Sequence, residues 1–173
     1  MRIRPATLDD IEAIARVRVE TWRVCFAGIL PQDLLEGLSV ERTAAAWRSN
    51  WLAEAEPPIA FVAENDSGEV TGFVIAGRSR EEEGAELGEV YVLYILPECQ
   101  RHGLGRNLLN ACWPVFRQRG IKKAILWCLE KNPACEFYRH LGGKPVDKKT
   151  ALYGGEKFIE IGFVWNLEEI TSL

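Results

Sequence analysis

Gly103 and Gly105 stand at the end of an apolar run, in Leu93-Tyr94-Ile95-Leu96-Pro97-Glu98-Cys99-Gln100-Arg101-His102-Gly103-Leu104-Gly105-Arg106. Behind them, Leu108, Leu109, Cys112, Val115 and Phe116 recur at the spacing of a core-facing helical stripe over Arg106 to Gln118. The glycine turn is therefore expected at a helix N-terminus, where the first main-chain N–H groups lack intrahelical partners and the dipole end is positive. Such a turn holds a phosphate by backbone donors, and Gln100, Arg101, His102, Gly103, Leu104, Gly105 and Arg106 read as a pyrophosphate cradle. Gly103 and Gly105 let the backbone come close, and Arg101 and Arg106 flank the cradle with positive charge.

The charge pattern agrees. The net charge of −4 hides seven basic residues and one acidic between Gln100 and Lys131, so that segment is +6 and the rest sums to −10. A basic island in an acidic chain suits an anionic ligand, whereas a pI near 5.4 is far from the footprint of a nucleic-acid binder. Arg117, Arg119, Lys122 and Lys123 also read as solvated helix and loop positions.

The elements that must position the cradle follow from pattern. Ile3 to Ala6 reads as a strand; Thr7 is a helix N-cap with Asp9 and Asp10 in the first turn, and the helix ends near Cys25. Pro31 and Ser39 open two further helical stretches, the second reaching about Ala53 before Pro57-Pro58 stops it. Ile59 to Glu64, Val70 to Arg78 and Leu87 to Leu96 are β-rich, with a turn at Asn65-Asp66-Ser67-Gly68. After the cradle helix ends at Gly120, Lys123 to Leu129 is a buried strand, which completes a βαβ unit with one parallel step. Pro133 opens a helix through Leu141 that Gly142-Gly143 closes, and Lys144 to Leu152 and Lys157 to Asn166 form a hairpin around Tyr153-Gly154-Gly155. The sum is a mixed α/β sheet, mainly antiparallel. Pro114 falls inside the cradle helix and predicts a kink there.

A chain of 173 residues with 47% hydrophobic content suits one domain over residues 1–173. No apolar run approaches the roughly 18 residues of a membrane span, and no signal-like segment follows Met1, so a cytoplasmic protein without membrane or nucleic-acid partners is expected. Cys25, Cys99, Cys112, Cys128 and Cys135 are odd in number and show no CxxC spacing, which argues against disulfides or a metal site.

The order of elements, the turn Gln100-Arg101-His102-Gly103-Leu104-Gly105, and the segment Asn132-Pro133-Ala134-Cys135-Glu136-Phe137-Tyr138-Arg139-His140-Leu141-Gly142-Gly143 together resemble the GCN5-related N-acetyltransferase (GNAT) superfamily over nearly the whole chain. The resemblance implies a mostly antiparallel six- to seven-stranded sheet flanked by helices and splayed at the parallel step. It implies acetyl-CoA as co-substrate, with the pantetheine arm on exposed backbone near Ile95 and Leu96, the pyrophosphate on the cradle, and Asn132 on the CoA arm. Asn132 also fits an N-cap before Pro133.

The chemistry so implied is transfer of an acetyl group to a primary amine of a small molecule or peptide. An alkylammonium must lose a proton before its nitrogen attacks the thioester, and an acid can protonate the departing thiolate. By similarity Glu89 is the base and Tyr138 the acid; alternatively, Glu89 is an outward strand residue and Tyr138 a core residue beside Phe137. His102 lies in the phosphate turn and His140 on an exposed helix face, so neither is expected to act as base. Trp22, Phe26, Trp47 and Trp51 either wall the acceptor site or pack helices, and Glu81-Glu82-Glu83 with Glu86 and Glu89 could draw a cationic acceptor. Two further readings stand beside this one. A catalytically silent acyl-CoA sensor of the same fold is one. A nucleotide-binding module is the other, although no GxxxxGK[ST] run occurs and Leu108 replaces the third glycine of a Rossmann fingerprint. A homodimer through the last strands is an assembly the resemblance allows.

Overall fold

The computed structural model describes residues 1–53, 56–80 and 86–170. Glu81-Glu82-Glu83 lies outside them. A seven-stranded sheet runs β1 (Arg2–Pro5), β2 (Ile59–Glu64), β3 (Val70–Arg78), β4 (Leu87–Ile95), β5 (Lys123–Leu129), β7 (Glu156–Asn166), β6 (Lys144–Tyr153) in spatial order. Every neighbouring pair is antiparallel except β4 with β5. The helices are α1 (Ile11–Cys25), α2 (Gln32–Glu36), α3 (Val40–Ala53), α4 (Leu104–Gln118) and α5 (Ala134–His140).

Local chemistry sets the boundaries. Asn65 Oδ1 accepts from the N–H of Ser67 at 3.1 Å and of Glu69 at 2.9 Å, and Gly68 has φ +83°, which turns β2 into β3. Ahead of α1, Asp10 accepts from the Thr7 N–H at 2.8 Å and binds Arg4 at 2.7 Å, while Arg4 also reaches Glu64 at 2.7 Å. This cluster ties β1, β2 and α1 together. Gly103, at φ +79°, is the N-cap of α4, so the helix begins at Leu104, two residues ahead of the expected Arg106. Pro114 lies on the exposed side of α4, which stays one element from Leu104 to Gln118.

One face of the sheet packs under α4 and α5, where Leu108, Leu109, Cys112, Trp113 and Phe116 join Val74, Val90 and Phe163 in the main core. Burying each such side chain contributes about 1.5–3 kcal/mol. On the other face Ile14 and Val17 of α1 meet Val62, Val70 and Phe73, with Trp47 edge-on to Phe73 at 5.6 Å. Trp47 and Trp51 are thus helix-packing residues between α3 and α1, and of the four aromatic candidates only Trp22 and Phe26 reach the cleft. All five cysteines are free thiols. No helix among the described residues is long and apolar enough to cross a membrane.

Candidate active site

β4 and β5 pair only at Leu87 with Lys123, Gly88 with Ala124 and Glu89 with Ile125, and then part. Beyond that point β4 continues against β3 alone, with Tyr91 as the extra residue of a bulge between Val90 and Val92. The Leu96 N–H donates to Thr71 O at 2.9 Å, so by antiparallel alternation Leu96 and Tyr94 turn their main-chain groups to β3 while Leu93 and Ile95 turn theirs into the gap. Leu96, expected beside Ile95 at the pantetheine, has neither group to offer: it is 3% exposed, and its carbonyl accepts from the Cys99 N–H at 2.8 Å. The gap-facing carbonyl of Ile95 accepts from Gln100 Nε2 at 3.0 Å and Thr21 Oγ1 at 3.3 Å. Gln100 therefore braces the strand end with its side chain.

The turn that follows holds two left-handed residues, Arg101 at φ +63° and Gly103 at φ +79°, on either side of His102. The first α-helical bond of α4 runs from the Asn107 N–H to Gly103 O, so the N–H groups of Leu104, Gly105 and Arg106 have no partner within the helix. Arg101, His102, Gly103 and Arg106 are exposed around this cluster of donors, and Leu104 is buried beneath it. Gly105 serves packing: a Cβ there would lie 2.7 Å from Phe137 Cζ of α5. Its missing side chain seats α5 against α4.

Between the parted strands lies a cleft of about 530 Å³ that reaches from the turn to α1 and β7. Ile95, Gln100, Arg101, Gly103, Leu104, Gly105, Asn132 and Tyr138 all line it; His102, Arg106 and Leu96 do not. Asn132 fills its capping role, since Oδ1 accepts from the Ala134 N–H at 2.9 Å, and the residue also lines the cleft. Tyr138 is 6% exposed, against Phe137, Phe163 and Trp165. Burial raises its hydroxyl well above the usual tyrosine range, so it holds its proton at neutral pH.

Glu89 is placed differently from Tyr138. Its side chain is 3% exposed and its oxygens accept from Arg80 Nη2 at 2.6 Å, Arg80 Nε at 3.3 Å and the Arg80 N–H at 3.1 Å. The lining of the cleft begins two residues further on, at Tyr91, which carries the Arg80 guanidinium on its ring at 4.2 Å. The structure does not bring Glu89 and Tyr138 together at one wall.

Sequence reasoning missed a second carboxylate. Glu160 of β7, 8% exposed, lines the cleft and accepts from Tyr153 Oη at 2.6 Å, with Lys149 Nζ at 3.8 Å. Burial and the Glu160 charge push the Tyr153 hydroxyl far up. Both residues belong to the last hairpin, remote in sequence from either motif; the only signal was a glutamate amid the apolar Phe158, Ile159, Ile161 and Phe163. Among the described residues no group of three or more His, Cys, Asp or Glu is placed to hold a metal ion.

Residues 20–142 match the family model described as Acetyltransferase (GNAT) family. An N-acetyltransferase of Bacillus subtilis (strain 168), YuaI, is 34% identical over 163 residues, 94% of this chain and 91% of its own. The spermidine N(1)-acetyltransferase of Thermoplasma acidophilum is 23% identical, covering 92% of this chain and 98% of its own. In fold, yncA of Salmonella typhimurium, solved with its cofactor acetyl-CoA, superposes with TM-score 0.73 at 21% identity over 100% of this chain and 97% of that one.

Proposed function

This chain belongs to the Acetyltransferase (GNAT) family, and from that premise we propose that it transfers the acetyl group of acetyl-CoA directly to a primary amine of a small molecule or peptide. The carrying observation is the opening beyond the Glu89–Ile125 pair, where the gap-facing backbone of Leu93 and Ile95, the orphan N–H groups of α4 and the protonated Tyr138 meet one cleft. The relative named for spermidine supports an amine as acceptor.

Acetyl-CoA, when bound, supplies a thioester carbon for the amine and a sulfur that leaves. The N–H groups of Leu104, Gly105 and Arg106 hold the pyrophosphate, with Arg101, His102 and Arg106 adding donors at its edge. Leu93 and Ile95 offer their backbone to the pantetheine, and Asn132 steadies the same arm. Tyr138 donates its O–H where negative charge grows on the sulfur. For the ammonium proton the better-placed group is Glu160, which lines the cleft, whereas Glu89 stands behind Tyr91 in the grip of Arg80.

The experiment is thiol release from acetyl-CoA across polyamines, aminoglycosides, amino acids and short peptides, with wild type beside Tyr138→Phe. Release with one amine class that falls about 100-fold in the variant supports the reading. If no amine elicits release while acetyl-CoA still raises the melting temperature, the acceptor is a protein outside the panel or the chain is a silent acyl-CoA sensor, and the catalytic roles lose their support.

A further inference from the structure

Arg18, Thr21, Trp22 and Cys25 of α1 and its C-cap Phe26 recur at i, i+3, i+4, i+7 and i+8, so they share one stripe. The last four line the cleft; Arg18 stands one turn before them, just outside that lining, against Trp22 and near the Tyr94 and Tyr153 oxygens that do line it. The Arg18 guanidinium stacks over Trp22 with Cζ 4.3 Å from the ring centroid, and lies 5.7 Å from the Trp47 ring. No hydrogen bond or ion pair joins it to any described residue. The other arginines of α1 are matched, as is Arg4 of β1: Arg16 binds Glu20 and Glu69, Arg4 binds Asp10 and Glu64, and Arg23 donates to the Leu38 carbonyl. Beside it, Trp22 is 7% exposed and its Nε1 is buried without a partner, near the Tyr94 hydroxyl but joined to it by no hydrogen bond of regular geometry.

Two unspent donors thus stand together, and neither side chain can accept. Burial lowers the Arg18 pKa and the oxygens of Tyr94 and Tyr153 only partly offset it, so the charge sits where an incoming anion would relieve it. Among the described residues that line the cleft, the one carboxylate is Glu160, which accepts from Tyr153. The acceptor end therefore presents donors at one wall and a carboxylate at the other.

We propose that the acceptor is an amino acid or a similarly built zwitterion, its carboxylate held by Arg18 and the Trp22 N–H and its amine turned toward Glu160 and the thioester. This rests on the acetyltransferase reading and names its substrate class. In the transfer the N–C bond forms as the C–S bond breaks; one ammonium proton passes to Glu160 before the attack, the sulfur takes the Tyr138 proton, and the second proton that the nitrogen sheds on becoming an amide restores the Tyr138 hydroxyl. A polyamine fits poorly, because its second cation would meet Arg18.

The test compares each of a set of amino acids with its methyl ester and its decarboxylated amine, in wild type, Arg18→Met and Arg18→Lys, by thiol release and, separately, by quenching of indole fluorescence on ligand addition without acetyl-CoA. Wild type should prefer the acid at least about 30-fold in kcat/KM, through KM rather than kcat, as removal of a partner from a charged hydrogen bond implies. Arg18→Met should bring that preference to within about 3-fold, and Arg18→Lys should restore part of it. An equal melting-temperature rise with acetyl-CoA in all three proteins confirms intact folds. Equal turnover of acid and ester, or an equal loss of both in Arg18→Met, overturns the Arg18 assignment and leaves acetyl transfer standing. Acid-selective quenching that vanishes in Arg18→Met, without thiol release, keeps the carboxylate site and sinks the transfer reading. Neither quenching nor release sinks both.

Discussion

Gln100 Nε2 donates to the carbonyl of Ile95 at 3.0 Å, so the residue that opens the phosphate turn also braces the end of the strand on which the cleft is built. With β5 gone from this stretch, only Thr21 Oγ1, at 3.3 Å, shares the task. Gln100→Leu should cost about 1 kcal/mol, a factor of about 5. The fold should persist, and the loss should appear as a higher KM for acetyl-CoA with kcat little changed. Steady-state kinetics beside urea denaturation reads both; an unchanged KM would detach the Ile95 backbone from the cofactor.

Gly105 and Phe137 make the contact that fixes α5, and with it Tyr138, against α4. A Cβ at 105 would lie 2.7 Å from Phe137 Cζ and 3.4 Å from Ile95 Cδ1, so Gly105→Ala must displace the ring. The expected cost is about 1–3 kcal/mol, the range for overpacking. Gly105→Ala combined with Phe137→Leu should regain most of it, which the denaturation midpoints of the double variant will show. Gly103→Ala is different in kind: nothing lies within 4 Å of its Cβ position, but φ is +79°, so only backbone strain of about 1–2 kcal/mol is expected.

Acid should loosen the junction of β1, β2 and α1. The Arg4 guanidinium, and then the Thr7 N–H, hold the Asp10 carboxyl below its ordinary value. A depressed carboxyl adds stability that is complete above the unfolded pKa and disappears as pH falls through the folded one. Wild type should therefore lose stability below about pH 4, and Asp10→Asn should lose less over that span. At pH 7 the same substitution should cost about 2 kcal/mol, less than for a fully buried pair because Glu64 stays on Arg4. Urea titrations at pH 7 and pH 3 give both numbers.

The glycine turn was legible because its signals are local: two glycines, a helical stripe and an apolar strand within a few turns of one another. The hairpin at Asn65 and the cap at Asn132 were legible for the same reason. The splay was implied by the family resemblance alone, since Leu87 to Leu96 is evenly β-forming and only its register against β5 shows where pairing stops. That register also decides that Leu93 rather than Leu96 shares the gap with Ile95. Gly105 reads as room for a phosphate, yet the space is filled by Phe137, more than thirty residues away in a helix whose approach no spacing rule gives. Glu160 and Tyr153 reach the cleft only because β7 inserts between β5 and β6, an order that the succession of elements does not dictate.

Glu160 and Glu89 give opposite predictions. If the carboxylate lining the cleft takes the amine proton, Glu160→Gln should lower kcat by about 100-fold or more and flatten the acid side of the pH–rate profile. Glu160 also accepts from Tyr153 and lies near Lys149, so some loss of stability comes with the change. Tyr153→Phe is the control: it breaks the 2.6 Å bond while leaving the carboxylate, and should keep the acid limb that Glu160→Gln loses. Glu89→Gln removes the charge that Arg80 grips. Because the Arg80 side chain is 63% exposed it can turn to water, so the variant should show a lower melting temperature and a kcat within about 10-fold of wild type. The reverse pattern, with the acid limb lost in Glu89→Gln and kept in Glu160→Gln, would return the base to β4 and require Arg80 to release it when the amine arrives.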